Sequence, residues 1–333
     1  MSSTDQQPAR PAPPTGLRGL VERRTSRDLA GRLFSATATG AGALILVTLA
    51  AVAVFLVVRA WPAMTTPAEE LADAISWIPE GSTLLGYVGP LVFGTLLAAV
   101  LALALAVPVA TGIALFISHY APRRLASPLG YVVDLLAAIP SVIYGLWGGL
   151  WLAPRLLPAW QWLADNLGFI PLFREPASTP PRVIMTVGVV LAVMILPIIT
   201  AVAREVFLQT PRLHEEAALA LGATRWEMVR MAVIPFGRSG LISAAMLGLG
   251  RALGETMAVF MILSPGFTYS FELLQAGQHQ TIAANIANQF AEANPLGVSA
   301  LIATGLALFV ITLAVNTAAR WVVARRKDFS GAN

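Results

Sequence analysis

Six stretches of this chain are each apolar for about the ~20 residues that an α-helix needs to cross ~30 Å of hydrocarbon, and this recurrence limits the fold more than any other feature. They run from about Ala36 to Val58, Val88 to Ile117, Tyr131 to Leu152, Val183 to Phe207, Gly237 to Leu263 and Val298 to Val323. Lipid offers no partner to a free amide or carbonyl, so runs of this length predict helices that satisfy their own backbone. The expectation is an all-α, polytopic membrane protein with six transmembrane helices. A 333-residue chain that is 56% hydrophobic and only 12% charged fits no ordinary soluble class. The first run is too long for the core of a signal peptide and has no convincing cleavage site, so it reads as a retained span.

The loops between the runs carry the orientation signal. Arg10, Arg18, Arg23, Arg24, Arg27 and Arg32 precede the first run, Arg123 and Arg124 follow the second, Arg204 to Arg238 follow the fourth, and Arg320 to Lys327 close the chain. Basic loops stay inside, so both termini are expected in the cytoplasm. Glu69, Glu70, Asp73, Glu80, Glu272 and Glu292 mark the outer loops, while the loop with Arg155, Arg174, Arg182, Asp165 and Glu175 is mixed. Trp160 and Trp162 near that mixed loop fit an interfacial anchor. Residues 1–32, rich in Pro, Ser and Arg, read as a disordered basic cytoplasmic tail, and 33–333 as the transmembrane domain. The net charge of +4 is thereby explained by orientation, with no need for nucleic acid as a partner.

Several chemistries are excluded. The chain has no cysteine, and its lone lysine, Lys327, belongs to no Gly-x-x-x-x-Gly-Lys-[Ser/Thr] phosphate loop, so the chain is not its own ATPase. His119, His214 and His279 have no metal-site spacing, and no catalytic set is legible, so the chain is expected to be non-catalytic, with no cofactor or metal of its own. The ordinary reading of each histidine is a loop or interfacial side chain.

Against this background Arg251 and Glu255 stand out in the fifth run. A charge at mid-bilayer costs about 2.5–3.5 kcal/mol even on insertion scales, so it faces a partner, a cavity or a transported ion. As one continuous helix the run would place Arg251 about 20 Å deep, with Glu255 a turn further out on the same face. A guanidinium is a planar, permanently charged fork suited to oxyanions. Either the pair handles a transported anion or it ties two packed helices together. Asp134, near the start of the third run, reads as an interfacial partner of Arg123 or Arg124. Pro140 should kink that run, with the hydroxyls of Ser141 and Tyr144 facing the pathway or satisfying the freed carbonyls. Gly240, Gly248, Gly250 and Gly254 allow close helix approach in the fifth run. Gln280 to Ala293, with Ile282, Ile286 and Phe290 at helical spacing, reads as a surface helix.

Between the fourth and fifth runs, about 211–235, lies a hairpin of two short helices. Gly222 would make the sharp turn, Thr224 would cap the second helix, and Pro235 would close it. Such a hairpin fits a partner's groove or lies along the membrane surface.

Here the sequence resembles a family. Glu216-Ala217-Ala218, Gly222 and Pro235 are similar to the EAA motif of permease subunits in ATP-binding-cassette importers, departing from it at Ala232 and Ile234 before the proline. Leu249 to Val259 and Asp134 to Ser141 resemble the phosphate-specific permeases, and Gly254-Glu255-Thr256-Met257-Ala258-Val259 their C-type subunit, PstC. The resemblance covers the chain from the first span onward. It implies a type I ABC importer permease fold in a bacterial plasma membrane, with this chain forming half of a phosphate pathway. It implies as partners a sister permease subunit (PstA-like), an ATPase dimer (PstB-like) that binds ATP and Mg, and an external phosphate-binding protein (PstS-like). By the same resemblance Arg251, Glu255, Thr256, Asp134, Ser141 and Tyr144 would line the pathway, and Glu216, Ala217, Ala218, Gly222, Arg225 and Trp226 would couple to the ATPase. A permease for sulfate or molybdate, or a membrane scaffold that docks a regulator, remains the alternative reading. A secondary transporter would show internal repeats, and none is seen.

Overall fold

The computed structural model describes the backbone of residues 17–324 and the side chains of residues 31–321 other than Arg123. Helix α1 spans Leu17–Thr65, so the backbone is helical over the second half of the segment expected to lack structure. Residues 1–16, and Arg325, Arg326 and Lys327 of the expected basic C-terminus, lie outside the described residues. The chain divides into two units at Phe55. In the first, Leu44, Ile45, Leu46, Val54 and Phe55 of α1 are all exposed, a surface matched to hydrocarbon.

In the second unit α2 (Ala68–Ala74) leads to α3 (Leu84–Leu115), which ends in a π turn at Phe116–Tyr120. Then follow α4 (Arg123–Ala137), α5 (Ser141–Leu146), a π segment over Trp147–Leu152, and α6 (Ala153–Leu167). The fourth apolar run forms α7 (Ile184–Leu208). The hairpin follows as α8 (Arg212–Ala220) and α9 (Arg225–Met228). Beyond it come α10 (Ile234–Leu253), α11 (Met257–Ile262), α12 (Ile282–Gln289) and α13 (Pro295–Ala324). No strand occurs among the described residues, and the molecule is a multi-pass, all-α membrane protein. Among the described residues five helices are long and apolar enough to cross a bilayer, or up to six if one bent pair counts as a single span.

The core is built on α3 and α7, which share the most extensive helix contact. Ala98, Ala102, Ala106, Ala110 and Ala114 recur every fourth residue along α3, and none is more than 1% exposed. A ridge of methyl groups lets a neighbouring backbone come close, and dispersion at short range replaces the hydrophobic drive that lipid cannot supply. The larger side chains come from α7, with Val187, Leu191, Met194, Ile195 and Ile199 filling the same cluster. α10 also packs on α7, and a Cβ at Gly248 would lie 2.8 Å from Ile199 Cδ1. The expected close approach therefore holds at Gly248, whereas Gly250 has no neighbour within 4 Å.

Four expectations need correction. The third apolar run is bent far more sharply than a proline kink: α4 and the helix that begins at Ser141 meet at 88°. The fifth run breaks after Leu253. Gln280 to Ala293 is no surface helix, because Ile282, Ala284 and Asn285 are buried and two of its polar groups find partners on α3. Ile282 N–H donates to Thr95 Oγ1 at 3.0 Å, and Asn285 Nδ2 donates to Tyr87 Oη at 2.6 Å. Trp160 is no interfacial anchor either; it is buried and donates to Thr186 Oγ1 at 3.0 Å.

Candidate functional site

The two interrupted helices meet at their interruptions. In the first, Pro140 has no N–H to continue the ladder, and the chain turns between Ala137 and Ser141. Tyr144, one turn into α5, donates its hydroxyl to the Leu136 carbonyl at 3.0 Å, so it serves the backbone groups that the proline frees. In the second, α10 ends at Leu253, and Glu255 has left the helix. Its Oε1 accepts a hydrogen bond from Ala258 N–H at 3.1 Å, while Thr256 Oγ1 donates to the Gly254 carbonyl at 3.3 Å. Glu255 is therefore not a turn above Arg251 on one helix face. Its carboxylate satisfies an orphan amide at the start of α11, which is why it can be 8% exposed. α11 packs against α5, and a Cβ at Gly145 would lie 3.0 Å from Ala258 Cα and 2.9 Å from Met261 Sδ. Only glycine allows this crossing. Beside it lies a cavity of about 360 Å³, walled by Gly145, Gly149, Met261, Ile262 and Arg182.

Arg251 occupies the last turn of α10 and is half-buried. Its Nε is shut off from solvent without a hydrogen-bond partner. No carboxylate lies within 4.0 Å of its guanidinium among the described residues, so the anticipated ion pair with Glu255 is absent from this arrangement. The hydroxyl of Tyr144 is within its electrostatic reach. The structure thus gathers Arg251, Tyr144, Glu255 and Thr256 around the two breaks, with Ser141 half-buried at the start of α5. Asp134 stands apart. Its ion pair is with Arg204 of α7, at 4.0 Å, rather than with Arg124; Arg204 also binds Glu205 at 2.7 Å. The Arg204 guanidinium reaches Asp134 by lying across Gly130, one turn earlier on α4, where a Cβ would collide with Nη1.

The hairpin follows its sequence signals up to the last one. Gly222 has φ +86°, a conformation that side chains disfavour. Thr224 Oγ1 accepts from Glu227 N–H, and the Glu227 carboxylate accepts from Thr224 N–H, closing a capping box. Pro235 does not end the helix. A π turn over Val229–Val233 comes first, and the chain runs on through Pro235 into α10, because the widened turn absorbs the amide that proline lacks. Glu216, Ala217, Gly222, Arg225 and Trp226 are exposed, along with Leu213 and Leu221. Ala218 is instead buried, packed with Ala114, Phe207, Met228, Val229 and Val233.

One feature of the hairpin has no signal in the sequence. The His119 side chain, in the π turn that follows α3, is shielded beside Glu215 at the start of α8, and residue type alone does not bring the two together.

Membrane-length helices, two of them broken around an unpaired guanidinium, with a capped hairpin beside them, define a membrane transport component. Residues 106–328 match the binding-protein-dependent transport system inner membrane component family, and the chain belongs to it. Within that class the chain is 48% identical over 294 residues to phosphate transport system permease protein PstC 2 of Mycobacterium tuberculosis, covering 87% of this chain and 90% of that protein. It is 39% identical to phosphate transport system permease protein PstC of Mesorhizobium japonicum, covering 93% and 97%. To the protein of that name from Haemophilus influenzae it is also 39% identical, covering 90% and 95%. Among solved structures, a chain of the inward-facing MetNI methionine ABC transporter matches with a TM-score of 0.46 at 18% identity, covering 72% of this chain and 95% of that chain.

Proposed function

We propose that this chain is the transmembrane permease subunit of an ATP-driven phosphate importer and forms half of its translocation pathway. The observation that carries the reading is Arg251: a half-buried guanidinium with no ion pair among the described residues, placed where α10 breaks. A buried cation without a partner is costly unless a mobile anion supplies the missing charge for part of the cycle. Phosphate fits the fork, since a guanidinium offers it parallel N–H donors that a point charge does not. In this reading Arg251 touches the ion, and Tyr144, Ser141 and Thr256 are the hydroxyls nearest the path. Glu255 keeps the site from holding phosphate too tightly by repelling it as the helix ends move, and Asp134 lies at the inner margin.

The PstC names of its relatives support a phosphate system, and family membership supports a partner ATPase. The finer assignment is a complex in the bacterial plasma membrane with a sister permease, a cytoplasmic ATPase dimer that binds ATP and Mg, and an external phosphate-binding protein. Both termini and the α8–α9 hairpin then face the cytoplasm, residues 1–32 form a cytoplasmic tail, and Glu216, Ala217, Gly222, Arg225 and Trp226 meet the ATPase, with Ala218 supporting them from beneath. The chain itself performs no chemistry on ATP.

The test is ATP-driven anion uptake by the reconstituted four-component system. Uptake of phosphate that sulfate and molybdate do not compete away, and that is lost in Arg251→Ala although the complex still co-purifies, is the expected result. Phosphate transport at a comparable rate by the Arg251→Ala complex would overturn the role of Arg251, and uptake of sulfate or molybdate instead would overturn the substrate.

A further inference from the structure

The His119 imidazole is held on both sides. Its Nδ1 lies 2.7 Å from Ser118 Oγ, and its Nε2 lies 3.4 Å from Glu215 Oε1. The side chain is 8% exposed, so water competes little for either contact. His119 belongs to the π turn that ends α3, and Glu215 to the first turn of α8. Among the described residues this is the one polar contact between the hairpin and α3. Everything else that joins them is apolar: Ala114 and Leu115 from α3, Ala203 and Phe207 from α7, and Ala218, Met228, Val229 and Val233 from the hairpin and the turn that follows it.

The two kinds of contact do different work. Apolar packing resists separation, but its attraction has no preferred direction. A contact between one charged atom and one ring nitrogen is local, so it marks a single register. Ser118 holds the ring in place through a change of protonation. In the neutral Nε2–H form Ser118 donates to Nδ1 and Nε2–H faces Glu215. In the imidazolium form Nδ1–H donates to Ser118 Oγ, whose own proton can turn to the Leu115 carbonyl 3.3 Å away. Ser118 thus keeps the ring oriented in either state.

We infer that the His119–Glu215 contact is the link through which displacement of the hairpin is passed to α3, and through α3 to the packed core. His119 acts as a positioning residue, and it touches neither phosphate nor nucleotide. The inference rests on the reading of the hairpin as the ATPase-docking element, and the test separates the two.

The complete transporter is reconstituted in vesicles, and phosphate uptake and ATP hydrolysis are measured together. His119→Ala and Glu215→Ala are each expected to lower the phosphate moved per ATP hydrolysed by about fivefold or more, the low end of inter-site coupling, while ATPase co-purification and basal hydrolysis persist. His119→Gln, whose amide can still donate to Glu215, should restore most of the ratio. The double variant should be no worse than either single one, because the same link is lost once. An unchanged ratio in an assembled His119→Ala complex would overturn the inference, as would additive losses in the double variant. Should His119→Ala not assemble, Glu215→Ala alone decides in the same way. Failure of the wild-type chain to retain the ATPase would instead overturn the docking reading.

Discussion

The Tyr144 hydroxyl bridges the break in the third apolar run by donating to the carbonyl of Leu136 at 3.0 Å, eight positions earlier on the far side of Pro140. Removing it should loosen the angle between α4 and α5 without changing any charge. Tyr144→Phe is expected to cost about 1 kcal/mol, the net worth of an ordinary hydrogen bond. Thermal melts of the purified complex would show this, and an unchanged melt would mean that the bend is held by packing alone.

Arg251 should distinguish charge from shape. Arg251→Lys keeps a cation but loses the planar fork, so it is expected to retain a minor part of phosphate uptake, whereas Arg251→Ala retains none. Initial uptake rates at saturating phosphate check the order, and equal rates in the two variants would argue against a guanidinium-specific contact.

Two contributions of Glu255 can be tested apart. Its oxygen caps Ala258 N–H at 3.1 Å, and its charge lies among the residues around Arg251. Glu255→Gln keeps an acceptor for that amide and should leave the melting temperature near wild type while slowing turnover. Glu255→Ala removes both and should cost about 1 kcal/mol as well. Parallel melts and uptake rates separate the two effects, and full turnover in Glu255→Gln would refute the charge role.

The α5–α11 crossing should tolerate no side chain. Gly145→Val places atoms where Ala258 Cα stands 3.0 Å from a first carbon, and overpacking of this kind costs about 1–3 kcal/mol. Gly112→Ala, at a position with nothing within 4 Å, is the control and should be neutral or better. Expression, melting temperature and uptake together report the contrast.

His279 is expected to make the 264–281 segment sensitive to acid. Its Nε2–H donates to the Ser270 carbonyl at 2.6 Å, and Nδ1 is buried without a partner. Burial lowers its pKa, outweighing the Ser270 carbonyl and the Glu272 carboxylate, which raise it. Above the ordinary value of about 6.5 the ring is neutral whether the loop is folded or not. Below it the unfolded loop takes up the proton first, so stability falls with pH until the lowered folded value is passed. Limited proteolysis of the 264–281 segment should accelerate as pH drops from about 7.5 to about 5.5, and His279→Gln should flatten that dependence.

Legibility in the sequence followed how local each cause is. Gly222 and the Thr224-to-Glu227 box announce the hairpin because turn and cap chemistry lie within a few residues of each other. Pro140 announces its bend for the same reason. Pro235 misleads, since the π turn before it dissolves the rule that a proline closes a helix. The break at Gly254 is hidden because apolar residues continue to Leu263 on both sides of it, and only the fold shows Glu255 turning back onto Ala258. α12 reads as a surface element because Asn285 and the Ile282 amide find their partners, Tyr87 and Thr95, 198 and 187 positions away. The pairing of Asp134 with Arg204 likewise joins residues far apart in sequence.

The alanine stripe of α3 has a consequence for motion. Methyl groups bedded against α7 at every fourth residue leave no slack, so these two helices can travel only as one body, like the stile of a door frame. The chain is interrupted instead at Pro140 and Gly254, just before α5 and α11 begin. A change of shape around Arg251 is therefore expected at those two interruptions and not along the α3–α7 pair.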